Sequence, residues 1–469
     1  MPKENLKLDS TFSVIGAFWK PETPDSIMTG TLMSGERTID FTTAPVYERD
    51  PKPSAGMFDG PDKTMIPALH GFTRAGNSTL CQLVEGRCPD NSLNFPLRQS
   101  IASRTFRVLS VLEGMHVDGI EAKCLDLAKF SFAGLSDFFP SAFIEEWKTE
   151  QIVVTIPQEP REIQDFSLCS SKLRITIRAV PELKSGETDL SRLSKSVVSI
   201  EARFPQPESL DCYRRLAGRL ENLFSLLTGG SVALETLFVH RGEESGHLIT
   251  KRSGPPSRFD RMHNVGCSST QLAQAIATWL SQPPKFDDVE SLALEVLRKS
   301  KLFVETEFIA LAQALEGFHR ATMETGTTDR PTLRRIRKAV RSALDAQAID
   351  PDLKERICIS MMHANDPTLT TRLKALCECF SNQTLKAMLI ESATFIGEVA
   401  ATRNFYTHVG GGENPKNTPT KRPVRGGQLF LLNQKMQMLL RSLMLRHVGF
   451  SESAIADVLA RLPKWTVSA

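Results

Sequence analysis

Residues 403–412 read Arg403-Asn404-Phe405-Tyr406-Thr407-His408-Val409-Gly410-Gly411-Gly412, so a cation, an amide and an imidazole stand together directly before three glycines. Upstream, apolar residues recur at helical spacing from about Leu389, which predicts a helix over 389–408. Glycine commonly ends helices, and the triplet predicts where this one stops. We therefore expect these three polar side chains at the C-terminal end of one helix.

The angles around this helix limit what one copy of the motif can do. At about 100° per residue, Asn404 and His408 share a face, whereas Arg403 and His408 point about 140° apart. One straight helix cannot direct both Arg403 and His408 at one phosphate. Either the helix ends near the histidine or a second copy completes the site. The alternative is a surface arginine with a histidine that interacts with the helix dipole.

The residue types suit cleavage of a phosphodiester. His408 titrates near neutrality and can transfer protons, and Arg403 offers permanently charged planar donors to phosphate oxygens. Asn404 could orient the imidazole or bind the phosphate, and Tyr406 could stack on a base or pack. A ribose 2′-hydroxyl would supply the nucleophile, leaving a 2′,3′-cyclic phosphate. We therefore expect no cofactor and no metal, and the sequence offers no convincing metal-ligand cluster.

Composition narrows the protein class. The 469 residues carry a formal net charge of +3, but residues 286–469 hold five more Lys and Arg than Asp and Glu. Nucleic acid contacts should therefore favour the C-terminal part. The first residues are polar, no apolar run is long enough to cross a membrane, and nine cysteines form no Cys-x-x-Cys pair. This pattern predicts a cytoplasmic protein with reduced thiols.

The hydrophobic period changes along the chain. Short alternating segments up to about residue 204 predict antiparallel strands, followed by a helix near 208–228, a strand at 231–239 and an exposed loop over 241–269. After residue 285 the period is helical, with one break near Lys301. We predict an α+β protein, with a β-rich domain over 1–285, as one unit or two subdomains, and an all-α bundle over 286–469.

Further candidate residues lie on the predicted helices of the bundle. Glu316 and His319 are polar residues on an otherwise apolar helix and could form its solvated or capped edge. A basic helix and the loop after the motif could follow an RNA backbone, or could simply be solvated. The candidate RNA-binding residues are Arg334, Arg335, Lys338, Arg341, Lys421, Arg422 and Arg425.

The Arg403–His408 motif, late in a helical domain, resembles the Arg-Asn-x-x-x-His form of the HEPN ribonucleases. Four other Arg and His pairs in the chain have similar spacing, but only Arg403 is followed by Asn. The resemblance implies catalytic roles for Arg403, Asn404 and His408. Because HEPN domains often place a polar residue on an earlier helix near the motif, it also makes Glu316 and His319 candidate auxiliary groups. It also implies that two HEPN domains pair so that both motifs line one cleft, in a homodimer or a dimer of dimers.

Two stretches of the N-terminal region are distinctive: Gly16-Ala17-Phe18-Trp19-Lys20-Pro21 with Gly30-Thr31-Leu32, and Leu69-His70-Gly71-Phe72-Thr73 with Gly76 and Thr79-Leu80. In these stretches the region resembles that of the ApeA-type anti-phage defence proteins, whose C-terminal part is a HEPN domain. The resemblance implies an endoribonuclease that acts in abortive infection, with transfer RNA as a target and a phage-derived trigger. The alternative is a non-catalytic helical RNA- or protein-binding module with a sensing N-terminal domain.

Overall fold

The structure is a computed structural model. It describes residues 11–35, 38–44, 46–48, 65–74, 76–85, 93–95, 99–102, 104–133, 135, 144–148, 151–155, 161–167, 174–183, 194–250, 264–298, 302–323, 328–347, 349–362, 365–389, 394–407 and 423–461.

Strands dominate the first 250 residues. They are β1 Phe12–Lys20, β2 Thr23–Ser34, β3 Ile39–Thr43, β4 Val46–Glu48, β5 Met65–Thr73, β6 Gly76–Glu85, β7 Leu93–Phe95, β8 Gln99–Ala102, β9 Thr105–Glu113, β10 Leu127–Ala133, β11 Ile144–Lys148, β12 Gln151–Thr155, β13 Arg161–Ser167, β14 Arg174–Leu183, β15 Ser194–Arg203, β16 Ala233–Arg241 and β17 Glu244–Thr250. Every described pairing between them is antiparallel. The period-two pattern of the sequence thus becomes hairpins and meanders.

Six strands close into a barrel. Their order is β9-β3-β2-β1-β5-β6, and β6 pairs back onto β9. Alternate side chains point inward, as the pleat requires, and the interior contains Phe18, Leu32, Phe41, Leu80 and Val108 among its buried residues. Closure removes the unpaired edges that an open sheet would expose.

Two of the motif glycines lie against Phe18. A Cβ atom on Gly71 would stand 2.1 Å from the Phe18 ring, and one on Gly16 would stand 2.6 Å from it. The ring is fully buried and meets Phe41 edge-on at 4.8 Å. The glycines of both N-terminal sequence motifs therefore make room for one aromatic ring of the barrel core.

The same sheet extends beyond the barrel at β9. One edge of β9 pairs with β3 over Thr105–Val108 and with β17 over Ser110–Glu113, and the sheet continues β17-β16-β10-β15-β14-β13. The expectation of an exposed loop over 241–269 is wrong for its first part, because β17 lies there. A two-residue turn joins β16 to β17, and Gly242 in that turn adopts a φ of 57°.

The helices are α1 Leu210–Thr228, α2 Ser269–Leu280, α3 Asp287–Arg298, α4 Val304–Thr322, α5 Arg330–Asp345, α6 Pro351–Met362, α7 Leu369–Glu378, α8 Gln383–Leu389, α9 Phe395–Thr407, α10 Gly427–His447 and α11 Glu452–Arg461. The predicted helix near 208–228 is α1, and the predicted break near Lys301 falls between α3 and α4. The single helix predicted over 389–408 is not found, since α8 ends at Leu389 and α9 begins at Phe395.

Helix α4 lies at the centre of the helical region. It packs against α3, α7, α9 and α10, and its buried side chains include Phe308, Leu311, Leu315 and Phe318, which recur every three or four residues. In contrast, α5 packs mainly on α6. Asp329 caps the start of α5 by accepting a hydrogen bond from the Thr332 amide at 3.0 Å, with Pro331 in the first turn.

The chain forms two compact units. The first contains Met1–Phe224 and Val232–Phe259, and the second contains Ser225–Ser231 and Asp260–Ala469. The predicted α+β class, with a β-rich N-terminal region before a helical C-terminal region, is confirmed. The boundary at 285/286 stays a prediction. Among the described helices, none is both long and apolar enough to cross a membrane.

Candidate active site

Helix α9 positions the Arg403–His408 motif. Phe395, Val399 and Thr402 are buried on its inner side, which fixes the rotation of the helix. Asn404 lies on the exposed side, and Arg403 is half-buried on one flank. The Thr407 hydroxyl donates to the Arg403 carbonyl at 2.8 Å in the last turn. His408 lies outside the described residues.

Arg403 lines a cavity of about 520 Å³ among α3, α4 and α9. Two further cations, Lys285 and Arg320, line the same cavity, together with the carboxylates Asp288 and Glu316. In the part of the chain that the structure describes, no ion pair involves any of these five side chains. Three cations and two acids therefore line the cavity, so its lining carries a formal net charge of +1, which favours an anion.

The predicted site residues separate into different surroundings. The cavity brings Arg403 together with Glu316, whereas Asn404, His319 and Tyr406 do not line it. Asn404 is exposed about 100° round the helix from Arg403. The exposed Asn404 face and the Arg403 cavity are thus neighbouring surfaces of one helix end.

His319 is buried and faces Arg372 rather than the cavity. The Arg372 Nη1 lies 3.4 Å from His319 Nδ1, and its Nε donates to the Pro367 carbonyl at 2.9 Å. An arginine can only donate, so His319 accepts at Nδ1 and carries its proton on Nε2. Burial, followed by the charges of Arg372 and Arg320, lowers the pKa of His319. This arrangement favours a neutral histidine that holds the α4–α7 contact.

Tyr406 packs within the bundle. Its ring lies 6.2 Å from that of Phe308 and 5.1 Å from that of Phe405. Desolvation, followed by the charge of Glu305, raises the pKa of Tyr406. Of the two roles that the sequence allowed, the ring contacts agree with packing.

Val424 and Arg425 contact α9. The Val424 amide donates to the buried Thr402 hydroxyl at 3.0 Å, and the Arg425 guanidinium lies over the Phe405 ring, 4.3 Å from its centre. Arg425, one of the predicted RNA-binding residues, is therefore next to the motif. Lys421 and Arg422 lie outside the described residues.

The comparisons with known proteins agree with this architecture. The family model for ApeA N-terminal domain 1 matches residues 13–265, more than half of the chain. The chain belongs to the ApeA family. A second model, Apea-like HEPN, matches residues 309–454, which include α4, α9 and the Arg403–His408 motif. No curated protein and no solved structure matches the chain.

Membership in the ApeA family supports a nuclease-type role in anti-phage defence. The HEPN match indicates ribonuclease activity in general. In this ApeA protein, the HEPN match covers the cavity residues contributed by α4 and α9, whereas Lys285 and Asp288 precede it.

The basic helix α5 of this ApeA protein is exposed. Arg334, Arg335, Lys338 and Arg341 all point to solvent, and no described side chain of α5 or α6 is buried. Arg337 instead donates to the Met361 carbonyl at 3.2 Å and joins the two helices. The four predicted RNA-binding cations of this helix are therefore accessible to a polyanion.

Several polar cavity residues were not predicted as site residues. Lys285, Asp288, Gln313 and Arg320 line the cavity with Arg403, and the spacing of the α4 residues carried the signal. Residues 313, 316, 317 and 320 fall on one helix face, whereas His319 lies about 100° from Arg320. Polar residues at this spacing mark the cavity side of α4.

The described residues contain no group of three His, Cys, Asp or Glu side chains placed to hold a metal ion. The free thiols at Cys81 and Cys377 are buried, and burial raises the pKa of each to about 12. These two thiols are therefore poor candidates for metal or nucleophile chemistry.

Proposed function

We propose that this ApeA-family protein is a metal-independent RNA endonuclease. The observation that carries the proposal is that Arg403 opens into a cavity that Lys285 and Arg320 also line, at the end of the helix that carries the HEPN-like motif. In this mechanism Arg403 stabilises the charge that builds on the phosphorane. His408 transfers a proton, and Asn404, on the same face, orients the imidazole or binds the phosphate.

The reaction balances without an added nucleophile. The 2′-oxygen loses its proton and forms a bond to phosphorus, while the bond from phosphorus to the 5′-oxygen breaks and that oxygen gains a proton. The products are a 2′,3′-cyclic phosphate and a 5′-hydroxyl. Since the attacking group is the ribose 2′-hydroxyl, DNA is not a substrate.

We propose a composite site in a homodimer, or in a dimer of dimers. If α9 continued to residue 408, Arg403 and His408 would point about 140° apart, and Asn404 is already about 100° from the cavity side. A second copy that faces the exposed strip of α9 would complete the site by two-fold symmetry.

The proposed biological role is cleavage of transfer RNA during abortive infection, in the cytoplasm. The exposed cations of α5 would follow the RNA backbone. The β-rich N-terminal region would hold the nuclease in check or sense a trigger from the phage. Family membership supports the defence role.

The first experiment incubates purified full-length protein with total transfer RNA in EDTA and maps the product ends. We expect cleavage to 2′,3′-cyclic phosphates, and its loss in His408→Ala and Arg403→Ala. Arg215→Ala is the matched control, since Arg215 is an exposed residue of α1 that pairs with Asp211 on the same helix. Cleavage that survives loss of His408 would refute the assignment. RNA binding without cleavage, also after addition of infected-cell extract, would favour the non-catalytic module.

A complementation experiment tests the composite site. Arg403→Ala and His408→Ala proteins are inactive alone, but a mixed dimer would carry one intact site built from the Arg of one copy and the His of the other. Random mixing should restore about one quarter of the wild-type activity. Failure to restore activity after verified subunit exchange would show that one chain supplies both groups.

A further inference from the structure

Phe405 and Arg425 form an ordered exposed pair beside the motif. The Phe405 ring is 40% exposed, although it lies in a helix whose opposite side is packed. The guanidinium of Arg425 lies 4.3 Å from the ring centre. The hydrogen bond from the Val424 amide to the buried Thr402 hydroxyl anchors the backbone next to Arg425. Both residues are therefore held by α9: Phe405 belongs to the helix, and Arg425 follows a residue that is hydrogen-bonded to it.

The pair lies on the far side of the Asn404 face from the cavity. At about 100° per residue, Asn404 is 100° and Phe405 is 200° round α9 from Arg403. The position of residue 408, if the helix continued, falls between Asn404 and Phe405. The exposed strip that carries Asn404 is thus flanked by the cationic cavity on one side and by Phe405 with Arg425 on the other.

The chemistry of the pair suits an unpaired nucleotide. Bases in single-stranded RNA stack on aromatic rings and on guanidinium planes. Arg425 is exposed, and no ion pair in the described part of the chain involves it. Its charge also favours a backbone phosphate next to the stacked base.

We propose that Phe405 and Arg425 form a stacking platform for the nucleobase next to the scissile phosphate. The inference rests on the proposed ribonuclease function and deepens it, because it assigns the substrate class as RNA with an unpaired nucleotide at the cleavage position. A strand that crosses α9 would place its phosphate near the Asn404 strip and one flanking base on the platform. Fully paired RNA would not present that base.

The first test does not depend on cleavage. A single-stranded 2′-O-methyl oligonucleotide that contains 2-aminopurine cannot be cleaved by 2′-hydroxyl attack, and stacking quenches its fluorescence. We expect wild-type protein to quench the probe, and Phe405→Leu and Arg425→Lys to weaken both quenching and affinity by about tenfold. Phe72→Leu, which changes an exposed phenylalanine of β5, is the control. Equal quenching by wild type and both variants, or no binding by wild type, would overturn the platform.

The second test separates the platform from the nuclease. If the pair stacks on a base, Phe405→Leu raises KM for cleavage about tenfold with little change in kcat. An RNA that lacks the stacked base, with an abasic nucleotide in its place, should then raise the KM of the wild type by the same factor as Phe405→Leu does. The same RNA should leave the KM of Phe405→Leu unchanged. Equal further loss in both proteins would show a purely structural role and overturn the platform. If Phe405→Leu abolishes the quenching but the wild-type protein cuts no RNA, the platform is upheld and the ribonuclease proposal fails.

Discussion

Replacing Gly71 with alanine should destabilise the barrel by a predictable amount. The new Cβ would lie 2.1, 2.4 and 2.9 Å from three atoms of the Phe18 ring, far inside ordinary contact. The ring is fully buried against Phe41 and cannot swing to solvent. Such overpacking destabilises the folded state by about 1–3 kcal/mol. Replacing glycine also reduces the conformational entropy of the unfolded chain, which stabilises the protein by about 0.4–1 kcal/mol. We expect a net loss of about 1–2 kcal/mol in the free energy of unfolding.

The measurement is native-state hydrogen exchange of the β1 and β5 amides in the full-length protein. Each loss of about 1.4 kcal/mol in the free energy of unfolding lowers the protection factor of these amides about tenfold. Gly218→Ala is the matched control. Gly218 is exposed within α1, a Cβ there meets nothing within 4 Å, and we expect stabilisation by about 0.5–1 kcal/mol. Phe18→Leu should relieve Gly71→Ala, with a coupling above about 0.5 kcal/mol in a double-mutant cycle. Additive effects, or protection unchanged by Gly71→Ala, would refute the steric argument.

Three further predictions concern separate features. Arg320→Ala should raise KM for RNA cleavage about tenfold and lower the slope of log affinity against log salt by about 0.7–0.9; an unchanged slope would exclude a phosphate contact. Burial lowers the pKa of His247 to about 4. Below its ordinary pKa of about 6.5, His247 therefore binds a proton in the unfolded chain before it does so in the folded chain. Stability should therefore fall as pH drops from about 6.5 to 4 in denaturant titrations, and His247→Leu should remove that component. Arg441 donates to the Leu226 and Leu227 carbonyls at 3.0 and 3.2 Å; Arg441→Ala should cost about 2–4 kcal/mol in denaturant unfolding, and a loss below 1 kcal/mol would contradict that role.

The fold class could be predicted from sequence because the two halves differ in period. The alternation over Val198–Phe204 corresponds to β15, and the apolar spacing of Phe308, Leu311 and Leu315 corresponds to α4. Barrel closure could not be predicted, since the pairing of β6 with β9 depends on residues from distant parts of the chain. The same holds for β17, in which two adjacent apolar residues, Leu248 and Ile249, give no alternating pattern.

The candidate site was predictable in part for a similar reason. Arg403 and Glu316 were found by type and spacing, and the structure brings them to one cavity. Whether Arg320 or His319 faces that cavity depends on how α4 is rotated against α3 and α9, which the motif alone does not specify. The position of Arg425 over Phe405 was equally out of reach, because the intervening segment has no periodic pattern.

The divided edge of β9 has a consequence for synthesis of the protein on the ribosome. The barrel pairing of β9 with β3 and β6 uses only residues before 114, but the edge at Ser110–Glu113 is covered by β17, which is made more than 130 residues later. During that interval the nascent chain presents an unpaired strand edge that other chains could join. A fragment of the β-rich region that ends before Glu244 would keep that edge permanently open, so the shortest well-behaved fragment should extend beyond Thr250.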